Sequence, residues 1–458
     1  MNQFNRHVVC LGLCHCVLGI AQSDRSSLGE GGVLSPFQPS FQSSFQYIAP
    51  AAAKKSTIPV PQRTPAQQKI VDLNAAGDYQ AAGTEGMALM SSQSIDEELQ
   101  LIVANSLAWT GRTKEAVPAY QGLTKGPFAN EAIVGLANIN RWRGRDDLAL
   151  SMYQSVLAND PENTNAIEGK AWVTQALRPR TIIGVGGNSD STQSQQRSNF
   201  VKHQWRDDSG SQIFELELDS VRNWVETPPS EASQQAITFR YKDLGLALQP
   251  SVELSVPRDA QGTVFGTVRL KLPGDVVTVG AGLVNWGKTA MTPNALQAGL
   301  TANYLGADAT LSFSMGSLIS RMDYFDISDS NTVTTTNVTF HSAWRPWGSH
   351  FKPFVGMETR EAAVHIANYW SPAQGSGTVF AGMLADWSAA DWIFYTSAQL
   401  GHPLLGEAGN SWSFSLGGKR WLSADTALNA NLWSMASWRD GATYRAQSVQ
   451  LNLEKLWH

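Results

Sequence analysis

Polar residues stand at every second position in several stretches of this 458-residue chain, and their types limit the chemistry open to them. Glu215, Glu217 and Asp219 alternate with Phe214, Leu216 and Leu218; Arg240 lies between Phe239 and Tyr241; Arg269 and Lys271 are interleaved with Val268, Leu270 and Leu272. Near the end, Asn429 and Asn431 alternate with Leu428, Ala430 and Leu432, and Gln450 and Asn452 with Val449, Leu451 and Leu453. Carboxylates, guanidinium and ammonium groups and amides in such rows exchange hydrogen bonds with a polar ligand or with one another. Covalent chemistry has no comparable support. His203, His341, His350, His365 and His402 lack metal-ligand spacing, and no Gly-x-Ser-x-Gly elbow, phosphate loop or zinc motif occurs. The expectation is a protein that is not an enzyme and uses no cofactor or metal.

Rows of this kind need strands, because a period of two puts alternate residues on one face. From Thr181 onward that period dominates. It returns at Thr310–Met315, Trp412–Leu416, Leu428–Leu432 and Val449–Leu453, with turn clusters between, such as Asp207-Asp208-Ser209-Gly210 and Gly406-Glu407-Ala408-Gly409-Asn410. The spacing fits about 14 to 16 antiparallel strands. A soluble sandwich alternates too, so three further features decide between the architectures. Tryptophans concentrate after Thr181, many beside charged or turn residues, as in Asp386-Trp387-Ser388 and Ser437-Trp438-Arg439, where an indole can rest at a bilayer interface. The final stretch carries Val449, Leu451, Leu453 and Trp457 on one face, interrupted there by Lys455 and followed by His458. No apolar run after the first residues is long enough for a membrane helix. Together they predict a transmembrane antiparallel β-barrel over 179–458.

Residues 65–178 are different: helix formers punctuated at a fixed interval. Gly77, Gly111 and Gly144 stand 34 and 33 residues apart, each followed five residues on by a small residue, Ala82, Ala116 and Ala149. This is the period of tetratricopeptide repeats. Glycine permits the tight turn between two antiparallel helices, and alanine lets the helices approach. Pro161 closes the third unit, and Thr164–Leu177 is expected to form a capping helix. The predicted fold class is therefore α + β multidomain, a short tetratricopeptide α-solenoid followed by the barrel. Arg141, Arg143, Arg145 and Lys170 either line a concave face or form its solvated coat, and Trp142 and Trp172 are expected to pack between helices.

At the start, Arg6 and His7 precede an apolar stretch to Ile20, with Gly19 and Ala21 placed for cleavage, which reads as a signal peptide over 1–21 and a mature start near Gln22. Cys10, Cys14 and Cys16 all lie within it, so the mature chain would hold no thiol or disulfide. Residues 22–64, rich in Ser, Gln, Pro, Gly and Ala, read as a flexible leader. A net charge of −5 offers no basic field for nucleic acid.

Signal, tetratricopeptide array and C-terminal barrel in that order resemble the outer-membrane exporters of bacterial exopolysaccharides, including the cellulose synthase operon outer-membrane subunit and the poly-N-acetylglucosamine porin. Tyr369-Trp370-Ser371-Pro372 looks like an aromatic-aromatic-Ser-Pro segment of the cellulose exporter, and Asn188-Ser189-Asp190-Ser191, after the first strand, is a weaker match. The resemblance implies an outer-membrane pore of a Gram-negative bacterium through which a polysaccharide such as cellulose slides. It also implies periplasmic repeats that bind the glycan or inner-membrane synthase components, and a barrel wall solvated by outer-membrane lipid. A membrane-anchored scaffold whose repeats recruit envelope proteins is the alternative.

Overall fold

The computed structural model describes residues 63–458 apart from 227, 259–261, 275, 314, 345–349, 390 and 440. The expected signal peptide and nearly all of the leader lie outside the described residues. Among the described residues seven helices come first: α1 Pro65–Ala75, α2 Tyr79–Ser92, α3 Glu97–Trp109, α4 Thr113–Gln121, α5 Ala129–Trp142, α6 Asp146–Asn159 and α7 Thr164–Leu177.

The turn glycines adopt positive φ of 78°, 80° and 76°, which a side chain would strain. After each one the next amide returns to a carbonyl five residues back: Asp78 to Leu73, Arg112 to Leu107 and Arg145 to Asn140. These returns satisfy the last carbonyls of the preceding helix. Ala82, Ala116 and Ala149 are completely buried where paired helices touch. Large and small residues then interlock between repeats. Tyr120 in α4 covers Gly135 in α5, and Tyr153 in α6 covers Gly169 in α7. Their hydroxyls donate to Asn105 at 2.6 Å and Asn138 at 2.7 Å. The first unit inverts the pair, with Gly86 in α2 beneath Val103.

A β-carbon on Gly135 would stand 2.4 Å from the Tyr120 ring. Gly135→Ala is therefore expected to destabilise the array by about 1–3 kcal/mol through overpacking. Earlier loss of the helical circular-dichroism signal on heating, with the sheet signal unchanged, is the check.

The remainder is a closed barrel of sixteen antiparallel strands in which each strand pairs with its sequence neighbours and β1 closes on β16. The strands are β1 Arg180–Asp190, β2 Ser194–Arg206, β3 Gln212–Val225, β4 Ser230–Asp243, β5 Ser251–Pro257, β6 Phe265–Lys271, β7 Val277–Asn285, β8 Thr301–Phe313, β9 Gly316–Ile327, β10 Thr332–Ser342, β11 Phe351–Ala362, β12 Ser376–Ala389, β13 Trp392–Gly406, β14 Ser411–Ser423, β15 Thr426–Arg439 and β16 Ala442–Leu456. Closure gives every strand a neighbour on each side.

Register shows what the alternation accomplishes. Leu428, Leu453, Ile183, Val201, Leu218, Ile237 and Val256 are successive cross-strand partners, a row that crosses the β1–β16 seam. Most members of this row are exposed, and Leu400 on β13 is 73% exposed. A continuous apolar belt on the outer wall requires lipid as its solvent. Lys455 does not break it without compensation: its Nζ reaches Asp425 at 2.6 Å in the β14–β15 turn, and that bond holds the Asp425 carboxyl well below the usual carboxylate range. Trp457 beyond it donates its indole N–H to Thr181 at 2.8 Å.

Two expectations are corrected. Asn188, Ser189 and Asp190 do not follow the first strand but form its last residues, with Ser191 in the turn. Gly406 likewise ends β13 and does not open a loop. The segment between β7 and β8 also holds two short helices absent from the sequence reading, α8 Trp286–Ala290 and α9 Pro293–Gln297.

Candidate functional site

The array sits over one end of the barrel, held by the chain that leaves α7 for β1. Arg178 donates to the Trp457 carbonyl at 3.0 Å, and Arg180 bridges the Ala176 carbonyl at 2.6 Å and Glu454 at 3.3 Å. Arg206 at the end of β2 reaches Asp146 of α6 at 3.1 Å. Burial pushes the Asp146 carboxyl up, and the Arg206 charge pulls it the other way.

One cavity of about 2810 Å³ runs from the inner face of the array, past Arg141, Arg143 and Trp172, through the lumen to Thr443 and Tyr444 at the far mouth. Small-molecule pockets span roughly 300–1,000 Å³. The space is several times larger than that and extends along the barrel.

The two sides of the lumen differ. On the β2–β9 side the charges pair with each other. Arg240 contacts Glu253 at 2.6 Å, Glu215 at 2.6 Å and Glu217 at 2.8 Å, and Lys202 lies 3.5 Å from Glu215. Arg269 pairs with Asp308 and approaches the Tyr304 hydroxyl, which donates to Asp323 at 2.9 Å, itself bound by Arg321 at 2.6 Å. On the β13–β16 side the lining is mostly hydroxyls, amides and rings, including Tyr395, Asn429, Asn431, Trp433, Gln450 and Asn452.

The residues singled out in the sequence divide accordingly. Glu217, Asp219, Lys271, Asn429, Asn431, Gln450 and Asn452 line the cavity. Glu215, Arg240 and Arg269 are engaged in the ion-pair wall and are outside the lining set. Asp219 is bound by Lys288 of α8 at 2.7 Å, and Asn452 accepts from Gln450 at 3.1 Å.

The far mouth is narrowed from within. Strands β5 and β6 are 7 residues each beside the 14 of β4, so residues 230–235 of β4 have no partner in β5. The α8–α9 segment packs there instead: Asn294 accepts from Ser230 at 3.0 Å, Gln297 donates to the Glu231 carbonyl at 2.6 Å, and Asn285 donates to Gln234 at 2.9 Å. Thr292 then donates to the Asn368 carbonyl, joining α9 to the β11–β12 segment.

Tyr369, Trp370, Ser371 and Pro372 anchor that second segment and do more than form a turn. Tyr369 meets the buried Trp286 edge-on at 5.4 Å, and its hydroxyl donates to Asp329 at 3.0 Å. Burial pushes this phenol up, so it stays a donor across the neutral range. Ser371 is fully buried, with its Oγ accepting from the Ile366 amide at 2.7 Å, and the Pro372 carbonyl accepts from Ala362 at 3.2 Å. Trp370 reaches across to Arg439 of β15, whose guanidinium lies 4.2 Å from the indole and 3.7 Å from Tyr444. The buried indole N–H groups of Trp370 and Trp433 find no acceptor among the described residues.

Sequence reasoning named Trp370 only within a turn-like segment and Arg439 only as a neighbour of Trp438, and it missed Trp433 as a cavity residue by treating the tryptophans after Thr181 as interface residues. Strand parity carried the signal for Trp433, since a lipid-facing Leu432 forces its neighbour inward. The expectation for Trp172 is corrected as well: it is 38% exposed on the cavity face, not packed between helices. Trp142 is half-buried and does both.

Part of this fold is shared with solved structures. A chain described as a bacterial polysaccharide outer membrane secretin superposes with a TM-score of 0.50 at 11% identity, covering 62% of this chain and 99% of its own. The likeness is one of fold. CdiB from Acinetobacter baumannii gives 0.39 at 8% identity, covering 60% of this chain and 60% of its own, and OccK11 of Pseudomonas aeruginosa 0.35 at 9%, covering 61% and 96%. No protein-family model matches the sequence, and a search of curated proteins found no match. Among the described residues no group of His, Cys, Asp or Glu is arranged to hold a metal ion, and no helix is long and apolar enough to cross a membrane.

Proposed function

We propose that this protein is an outer-membrane pore of a Gram-negative bacterium that exports an exopolysaccharide such as cellulose, its helical array lying in the periplasm on the side of the synthase. The observation that carries this reading is the single cavity shared by the array and the lumen of a closed barrel with an apolar outer belt. A chain leaving the array has a continuous route into the barrel.

Transport on this reading is passive. The charges on one wall neutralise each other, which lowers their hold on a passing polymer, while the amides and hydroxyls of the other wall exchange hydrogen bonds with sugar hydroxyls one at a time. Many weak, equivalent contacts let a chain slide where one deep site would trap it. Synthesis behind the chain supplies the push.

A strain lacking the protein is expected to retain synthase activity in its membranes while secreted polymer disappears and glycan collects in the periplasm. Normal secretion would remove the export reading and leave the membrane-anchored scaffold.

A further inference from the structure

Trp109 and Trp142 end α3 and α5, 33 residues apart, and Trp172 lies in α7. Tyr79 opens α2 and meets Trp109 edge-on with ring centres 4.7 Å apart. Helices α3 and α5 are the first helices of the second and third units, α7 closes the array, and the three touch one another in order. All four rings face the cavity that continues into the lumen. Neighbouring cations have local partners: Arg112 binds Glu115, Arg145 binds Asp147, and Arg143 donates to Thr113 at 3.1 Å. The inner face thus presents a row of large rings beside cations held by local partners.

We infer that this row is a glycan-binding ladder that holds the polymer in extended form and feeds it to the barrel. The inference rests on the export reading and deepens it by assigning the receiving site. Indole faces stack on the apolar faces of hexose rings, and the surrounding amides bond the hydroxyls at the ring edges. Packed helices lie about 8–10 Å apart, so the rings recur at a step that a short run of sugars spans. The cavity's continuity selects the occupant. A folded protein could cover the rings but could not follow the same passage into the lumen, whereas an extended glycan does both.

The full chain, purified in detergent, is titrated with cellohexaose and with chitohexaose in a calorimeter. At least one is expected to bind saturably. The Trp109→Leu/Trp172→Leu double variant is expected to weaken that binding about tenfold or more, since two stacking contacts are lost. Trp438→Leu on the outer wall should leave it unchanged. Trp172→Phe, which keeps an aromatic face, should retain most of the affinity that Trp172→Leu loses, so a packing defect is separable from loss of stacking. No heat from either sugar, or equal affinity in parent and double variant with the helical signal intact, overturns the ladder. Bilayer conductance of the same preparations separates the two claims: conductance without sugar binding removes the ladder and spares the pore, and sugar binding without conductance does the reverse.

Discussion

Arg240→Ala is expected to cost the barrel about 3–5 kcal/mol, because it leaves buried carboxylates without their cation. Glu215, Glu217 and Glu253 converge on this one guanidinium from β3 and β5, and the Arg240 side chain is only 12% exposed. Lys202 lies 3.5 Å from Glu215 and is the cross-strand partner of Glu217, so it offsets part of the loss at those two, while Glu253 on β5 loses the guanidinium outright. Glu253→Gln, which removes one partner and keeps a hydrogen-bond acceptor, should cost far less. Denaturant titration in detergent, read by the gel mobility of the heat-resistant folded form, measures both. A midpoint unchanged in Arg240→Ala would mean that the ion-pair wall is solvated and contributes little.

Replacing residues 363–375 with a short glycine-serine turn is expected to raise unitary conductance several-fold. The segment is pinned inside the far mouth by Tyr369 on Asp329 and by buried Ser371, and it places Trp370 against Arg439 across the lumen. Removing it takes away the inner ledge while every strand keeps its neighbours. Trp370→Ala tests the same point more gently and should give a smaller increase, because α8 and α9 still occupy the mouth. If neither variant conducts more than the parent, the narrowest point lies elsewhere.

The outer surface of this molecule was far more legible than its interior. Alternation such as Phe214-Glu215-Leu216-Glu217-Leu218 reports strand and lipid face together, because lipid demands an apolar group at every second residue. The lumen imposes no such demand. Asn188, Ser189 and Asp190 therefore looked like a turn, although they complete β1, where Gly187 and Ser189 supply no apolar neighbour. The repeats were legible through three glycines whose positive φ restricts the residue type. Their interlock of Tyr120 with Gly135 and of Tyr153 with Gly169 was not, since the partners belong to different units. Helices α8 and α9 are too short for any period. Only Asn285 and Thr292, which cap them, and Pro293 in the first turn carried a local signal. Of the site, parity found the polar rows, but which charges pair and which line the passage depended on cross-strand register.

The central claim is a water-filled passage inside a wall whose other face touches lipid, and adjacent residues of β16 test it most directly. In a chain with Cys10, Cys14 and Cys16 replaced by serine, Gln450→Cys and Leu451→Cys are compared in planar bilayers before and after a bulky, charged thiol reagent. Gln450 lines the cavity and Leu451 is exposed on the outer belt. The account predicts steady channels in both, with conductance falling stepwise on reagent addition to Gln450→Cys and unchanged in Leu451→Cys. Absence of channels from the folded protein, or block at 451 and not at 450, would contradict it.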